Sequence, residues 1–185
     1  DGKLLPTGSY DQQIKLWNVE NGAEVKTLRG HNGAVFALGF RPDGGILASA
    51  SADRTVKLWD TKSGQRLDTL SQPLKEQMAV TWSPDGKRLA AAGFDNRIRV
   101  YAVSADAKET TNELLVARYA HEQPILRLAW SPDGKWVASG AQDGSVKIWD
   151  GSKMTEKLSL PKQPDWPSAV AFAGNTVLVG RFDGT

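Results

Sequence analysis

The sequence contains no cysteine, which excludes disulfide bonds, thiolate catalysis and cysteine–zinc sites. It has only two histidines, and no apolar run is long enough to cross a bilayer. The formal net charge is only +2, and like charges are not clustered, so we expect neither nucleic-acid binding nor membrane insertion. We expect a soluble protein. The absence of cysteine is compatible with both a cytoplasmic and a bacterial periplasmic location.

What the sequence does contain is a repeat. Trp17, Trp59 and Tyr101 follow one another at steps of 42 residues, and Trp149 comes 48 residues later. Aspartates keep the same steps, at Asp11, Asp53, Asp95 and Asp143. A Pro-Asp-Gly triplet marks another phase of the unit, at 42–44, 84–86 and 132–134. The longer step falls in the polar run 104–113, which predicts an extended surface loop.

Each unit shows strand and turn signals and no helical pattern. In one unit, four short β-rich segments are separated by turn residues: AVFALGF (34–40), ILASAS (46–51), TVKLWD (55–60) and QRLDTL (65–70). Pro-Asp-Gly favours a tight turn between the first two segments. Four strands in a unit of this length predict a small antiparallel sheet, and such sheets bury both faces by stacking around an axis as the blades of a propeller.

These residues resemble the WD40-repeat family. The resemblance rests on Gly30-His31, Trp59-Asp60, Trp149-Asp150 and a motif that occurs four times, in which an aspartate is followed six residues later by tryptophan or tyrosine. It implies an all-β WD40-type β-propeller, here an open arc of about three complete four-stranded blades and two incomplete terminal ones. The whole chain, 1–185, would form one propeller fragment, with units at 1–30, 31–72, 73–120, 121–162 and 163–185. Both ends fall within predicted turns, so we expect a piece of a longer protein.

The family's hydrogen-bonded tetrad maps onto two units. In one unit it comprises His31, Ser49, Asp53 and Trp59, and 90 residues later the same types recur as His121, Ser139, Asp143 and Trp149. A buried indole N–H needs an acceptor, which the serine supplies, and the histidine links serine to aspartate. We therefore expect a structural network rather than a hydrolase triad, with no catalytic residue, metal or cofactor. The third unit lacks the network, so we expect its blade to depend on packing alone.

The resemblance also implies a partner surface at one end of the blades. The contact positions are the residue before the turn aspartate and the residues three and five after the tetrad histidine. Apolar side chains at these positions are candidates for binding a protein or peptide. They are Tyr10, Phe36, Met78, Phe94, Leu126, Trp166 and Phe182.

Two kinds of function remain open from the sequence. The first is a non-catalytic interaction scaffold within a larger protein, whose partners would include the remaining blades of the same propeller. The second is an accessory propeller of a bacterial enzyme or cytochrome c-type redox protein, with its chemistry outside this chain. Residues 162–185 resemble propellers of bacterial multidomain proteins that carry such a cytochrome domain, but no haem-binding motif is present here.

Overall fold

Seventeen short strands and no helix make up the regular structure of residues 2–184, which a computed structural model describes. The first sheet contains β1 (Leu4–Gly8), β2 (Ile14–Asn18) and β3 (Glu24–Leu28). The second contains β4 (Val35–Phe40), β5 (Ile46–Ser51), β6 (Val56–Asp60) and β7 (Arg66–Leu70). The third contains β8 (Gln77–Trp82), β9 (Arg88–Gly93), β10 (Arg97–Ala102) and β11 (Glu113–Tyr119). The fourth contains β12 (Ile125–Trp130), β13 (Trp136–Ala141), β14 (Val146–Asp150) and β15 (Glu156–Ser159), and the fifth β16 (Pro167–Ala173) and β17 (Thr176–Arg181).

Every sheet is an antiparallel meander in chain order. The predicted all-β fold, with three four-stranded blades between two incomplete ones, is therefore confirmed. Neighbouring sheets pack through their first strands: β4 against β8, β8 against β12 and β12 against β16. Within residues 2–184, no packing of this extent joins the first sheet to the fifth, and the arc stays open.

The core lies between successive sheets. The face of each four-stranded sheet that carries the aromatic residue of β6, β10 or β14 packs on the preceding sheet. The three layers centre on Trp59 with Leu16, on Tyr101 with Leu58, and on Trp149 with Ile98. All six residues of β5 (ILASAS) are buried, because small side chains in the middle of a blade let the adjoining sheets approach closely.

The Pro-Asp-Gly triplets form the predicted tight turns between the first two strands of a blade. The glycines take positive φ, +73° at Gly44 and +68° at Gly86, which residues with a Cβ adopt only with strain. Asp43 closes its turn by accepting a hydrogen bond from the backbone N–H of Gly45 at 2.9 Å. These turns lie at the end of the blades opposite the turn aspartates.

The polar run 104–113 is a folded loop that joins the third sheet to the second. Asn112 Nδ2 donates to Asp68 Oδ2 at 2.6 Å, and the backbone N–H of Glu109 donates to the carbonyl of Leu67 at 3.1 Å. Arg41, next to the second unit's turn, donates to the carbonyl of Ala105 at 3.0 Å. The extra residues therefore connect two blades as well as lengthening a surface loop.

Pro6 lies in the middle of β1, where a proline is unexpected because it removes a donor from the ladder. The backbone N–H of Val19 donates to Lys3 O at 2.9 Å, and the N–H of Ser9 donates to Gln13 O at 3.2 Å. In an antiparallel pair, hydrogen-bonded and non-hydrogen-bonded residues alternate, so the register places the backbone hydrogen bonds to β2 on the odd-numbered residues of β1. The backbone nitrogen of Pro6 therefore points away from β2, and the β1–β2 pair loses no hydrogen bond.

Candidate functional site

A chain of side-chain hydrogen bonds crosses the second sheet, between the turn that carries Asp53 and Trp59 on β6. His31 Nδ1–H donates to Asp53 Oδ2 at 2.7 Å, and His31 Nε2 lies 2.7 Å from the hydroxyl of Ser49, from which it accepts. Ser49 Oγ in turn accepts from Trp59 Nε1–H at 2.8 Å. The structure thus brings all four predicted residues together within one blade, each with a partner.

The fourth sheet builds the same chain with one extra member. Trp149 Nε1–H donates to Ser139 Oγ at 2.8 Å, and Ser139 lies 2.6 Å from His121 Nε2. The other ring nitrogen meets the hydroxyl of Ser145 at 2.7 Å, and Ser145 donates to Asp143 Oδ1 at 2.6 Å. His121 thus bonds Ser139, as expected, but it reaches Asp143 only through Ser145, whereas His31 contacts its aspartate directly.

The two units differ at the residue two places after the aspartate. In the second unit this is Thr55, whose hydroxyl bonds to Asp53 Oδ1 at 2.6 Å, while Oδ2 accepts from His31 and from the backbone N–H of Asn32. Threonine is restricted at χ1 by its γ-methyl group. Ser145 lacks that group; its hydroxyl bonds Asp143 Oδ1 at the same distance and also lies 2.7 Å from His121 Nδ1.

Electrostatics favour a neutral imidazole at His121 and a charged carboxylate at Asp53. Burial lowers the pKa of His121 to about 4, helped by the nearby Lys147 ammonium and opposed by Asp143. Burial alone would raise the pKa of Asp53, but the hydrogen bonds from His31, Thr55 and the backbone N–H of Asn32 outweigh it, and that pKa lies well below its usual range.

This geometry does not suit nucleophilic catalysis. Ser49 and Ser139 are completely buried between strands, and each hydroxyl already holds a tryptophan indole and a histidine. A catalytic serine must be reachable by its substrate. The residues therefore act as structural staples of their blades. In residues 2–184, no three acidic or histidine side chains come together in a way that could hold a metal ion.

In the third sheet a buried ion pair occupies the place of the network. Arg99 Nη1 lies 2.7 Å from Asp95 Oδ2, and both side chains are almost fully buried. The lysines at the equivalent position point towards the outermost strand of their sheet instead, as Lys57 does to reach Thr69. The expectation that this blade depends on packing alone is therefore wrong: with no histidine available, arginine reaches the aspartate. An arginine where the other units have lysine was the signal in the sequence.

The predicted contact positions meet at the end of each blade that carries the turn aspartate, opposite the Pro-Asp-Gly turns. The residue before the turn aspartate donates its backbone N–H to the carbonyl of the residue three after the histidine position. The four bonds are Ala52 to Ala34 at 2.8 Å, Phe94 to Glu76 at 2.9 Å, Gln142 to Pro124 at 2.9 Å and Phe182 to Trp166 at 3.1 Å. The same short bond therefore holds two contact positions side by side in four units.

The third contact position is a β-bulge. The register of the first two strands of each blade skips one residue of the first strand, at Phe36, Met78, Leu126 and Ser168. A bulge leaves the extra residue outside the ladder and re-aims its side chain. This irregularity explains why a position inside a strand can belong to a contact surface.

The apolar candidates differ in exposure. Tyr10 and Phe182 are 85% and 70% exposed, and Phe94 and Trp166 are 38% and 44% exposed. Phe36, Met78 and Leu126 are half-buried. Two edge-to-face pairs form, Tyr10 with Phe36 at 5.9 Å between ring centroids and Trp166 with Phe182 at 6.1 Å. Sequence reasoning missed Leu74, which is 71% exposed and lines a groove with Phe94 and Pro124.

Comparison with known proteins agrees with this repeat. The family model described as "WD domain, G-beta repeat" matches residues 22–60, 64–102 and 112–150, more than half of the chain.

No helix within residues 2–184 has the length and apolarity that crossing a membrane requires.

Several curated proteins are similar over about one repeat. "Nuclear distribution protein PAC1-2" of Postia placenta is 42% identical over 43 residues, which cover 23% of this chain and 10% of that protein. "Dynein assembly factor with WD repeat domains 1" of Homo sapiens is 46% identical over 39 residues, 21% of this chain and 9% of that protein. Coronin-7 of Mus musculus is 39% identical over 41 residues, 22% of this chain and 4% of that protein. The matches thus span a tenth or less of each of these relatives. Taken with the five repeated sheets, the match to the family model shows that this chain belongs to the WD40-repeat family.

Proposed function

We propose that this chain is a protein-interaction module that binds a protein or peptide partner through the loop face, the surface formed by the three contact positions of each unit. The observation that carries the proposal is the recurring backbone bond, which presents exposed aromatic side chains at Phe94, Trp166 and Phe182. Fixed aromatic side chains contribute large contact areas with little loss of conformational entropy on binding. The WD40 family is generally a scaffold without catalysis, and the same role is proposed here.

The apolar faces at the two ends of the arc favour a second kind of partner. Leu5 is 54% exposed on the first sheet, on the face that in later sheets packs against the preceding blade. Leu178 is 53% exposed on the opposite face of the fifth sheet. These faces match the two sides of a blade-to-blade layer, so further blades of the same propeller would cover them.

The loop-face proposal is tested with the double variant Phe94→Gln/Trp166→Gln. Proteins captured by the wild type from a lysate are identified, and one is purified for calorimetric titration against both forms. We expect the double variant to weaken binding at least tenfold while its melting temperature stays near that of the wild type. The matched control is Leu158→Gln, because Leu158 is 53% exposed but lies on the outermost strand β15, away from the loop face.

Equal affinity of the wild type and the double variant would contradict the proposal. So would a double variant that unfolds, since Phe94 and Trp166 would then belong to the core. Loss of binding in the Leu158 variant alone would move the binding site to the outer edge of the blades.

A further inference from the structure

The third sheet contains polar atoms that are buried without a protein partner. Among residues 2–184, the buried side-chain atoms that lack a hydrogen bond are Gln77 Oε1, Arg99 Nη1 and Tyr101 Oη, and all three belong to this sheet. Arg99 Nη1 lies 2.7 Å from Asp95 Oδ2, so its charge is matched although its N–H is not aligned for a hydrogen bond. The glutamine carbonyl and the tyrosine hydroxyl have no such compensation. Both residues are completely buried.

The three side chains share one face of the sheet. Arg99 and Tyr101 are two residues apart on β10, opposite Ala91 and Leu89 of β9. Gln77 lies opposite Gly93, because the bulge at residue 78 shifts the register by one. This is the face that packs on the second sheet. The polar atoms are therefore enclosed in one layer between two blades.

The equivalent positions in the neighbouring units show how these atoms lost their partners. Gln77 stands where the second unit has Val35, so the third unit has gained a polar group there. Ala91 stands where the second unit has Ser49, so the aromatic side chain on β10 has lost its acceptor.

The orientation of Gln77 is fixed by its amide nitrogen. Nε2 donates to the carbonyls of Lys75 at 2.9 Å and of Glu76 at 3.3 Å, so the other end of the carboxamide must be the acceptor Oε1. Burial raises the pKa of Tyr101, and its hydroxyl remains a neutral donor. The layer thus offers one acceptor and one donor, and neither has a protein partner.

We propose that the third blade holds ordered water molecules, one donating to Gln77 Oε1 and one accepting from Tyr101 Oη. Buried polar groups that lack a protein partner are usually bonded to internal water, which proteins of this size contain in several copies. In the second and fourth blades, Val35 and Ile125 have no polar group at the position of Gln77, and Ser49 and Ser139 accept from the tryptophans, so neither blade needs such water. Hydration is therefore a property of one blade, in a place that the repeat otherwise fills with histidine and serine.

The test is to detect long-lived water by nuclear Overhauser effects between water and protein in isotopically labelled protein of residues 1–185. We expect cross-peaks at Gln77 and Tyr101 and none at the equivalent residues Val35 and Trp59, which serve as controls within the same molecule. Tyr101→Phe and Gln77→Leu should each remove the cross-peak at its own site.

Absence of long-lived water at both sites would overturn the proposal, and so would cross-peaks that persist in both variants. Melting temperature provides a second measurement. A dry, unpaired hydroxyl is destabilising, so Tyr101→Phe would then raise the melting temperature, whereas loss of a hydrated hydroxyl gives no rise. If the variants fail to fold, comparison of Tyr101 with Trp59 in the wild type still decides the question.

Discussion

Protonation of His121 should make the stability of this protein depend on pH in a specific window. His121 lies in the segment before β12; its imidazole is buried, donates to Ser145 and accepts from Ser139, so its neutral form fits the network. Burial lowers its pKa from 6.5 to about 4. Between pH 6.5 and pH 4, His121 is therefore protonated in the unfolded chain but neutral in the folded chain. The stability due to the neutral ring is complete above pH 6.5 and is lost as the pH falls towards 4.

The size of the effect follows from the two pKa values. One pH unit within the window changes the free energy of unfolding by about 1.4 kcal/mol, so the loss between pH 7 and pH 5 is about 2 kcal/mol. The measurement is urea denaturation at several pH values for the wild type and His121→Gln. All ionisable groups other than residue 121 are the same in both proteins, so the difference between the two curves isolates His121. We expect the variant to be less stable at pH 7 and to lose less stability on acidification.

Direct titration of His121 by NMR gives an independent result. Its Cε1–H resonance should shift with a midpoint near pH 4. A midpoint near 6.5, together with parallel stability curves for the wild type and His121→Gln, would refute the reasoning from burial and hydrogen bonding.

Two further substitutions test the polar groups that fasten the second and third blades. Ser49→Ala should lower the free energy of unfolding by about 1–3 kcal/mol, because it leaves the Trp59 indole and His31 without their shared partner; an unchanged urea midpoint would show that the network does not contribute to stability. Arg99→Met should cost about 3–5 kcal/mol by leaving the buried Asp95 carboxylate unpaired, and adding Asp95→Asn should recover most of the loss. If the double variant melts no higher than Arg99→Met, the ion pair is not the source of the effect.

The strands and turns could be predicted from the sequence because local chemistry determines them. The predicted segment ILASAS (46–51) coincides with β5, and TVKLWD (55–60) differs from β6 by one residue. Alternation of apolar residues and the Pro-Asp-Gly turn act over a few positions, so neither needs knowledge of distant contacts. The repeat then supplied the long-range order, since each unit repeats the pairing of the one before.

The site was less predictable where a substitution changes the direction of a side chain. Arg99 and Lys57 occupy equivalent positions and carry the same charge, yet one turns inward to Asp95 and the other outward to Thr69. Ser145 and Thr55 also differ by only one methyl group, but only Ser145 lies between the histidine and the aspartate. Such choices depend on the space that neighbouring residues leave, which the sequence does not show directly.

The loop 104–113 gives the arc an uneven resistance to mechanical load. The other junctions combine packed side chains with a few hydrogen bonds, such as Lys26 Nζ to the carbonyl of Ser63 and Arg88 Nη1 to that of Gly151. Between the second and third blades, the loop adds hydrogen bonds to the outermost strand β7 and to Arg41, so bonds at the far rim must break together with the layer nearer the axis. The hydrogen bonds at the rim therefore oppose rotation of the second blade against the third. Bending of the arc under force would therefore be concentrated at the other blade junctions, and the second and third blades would move as one rigid segment.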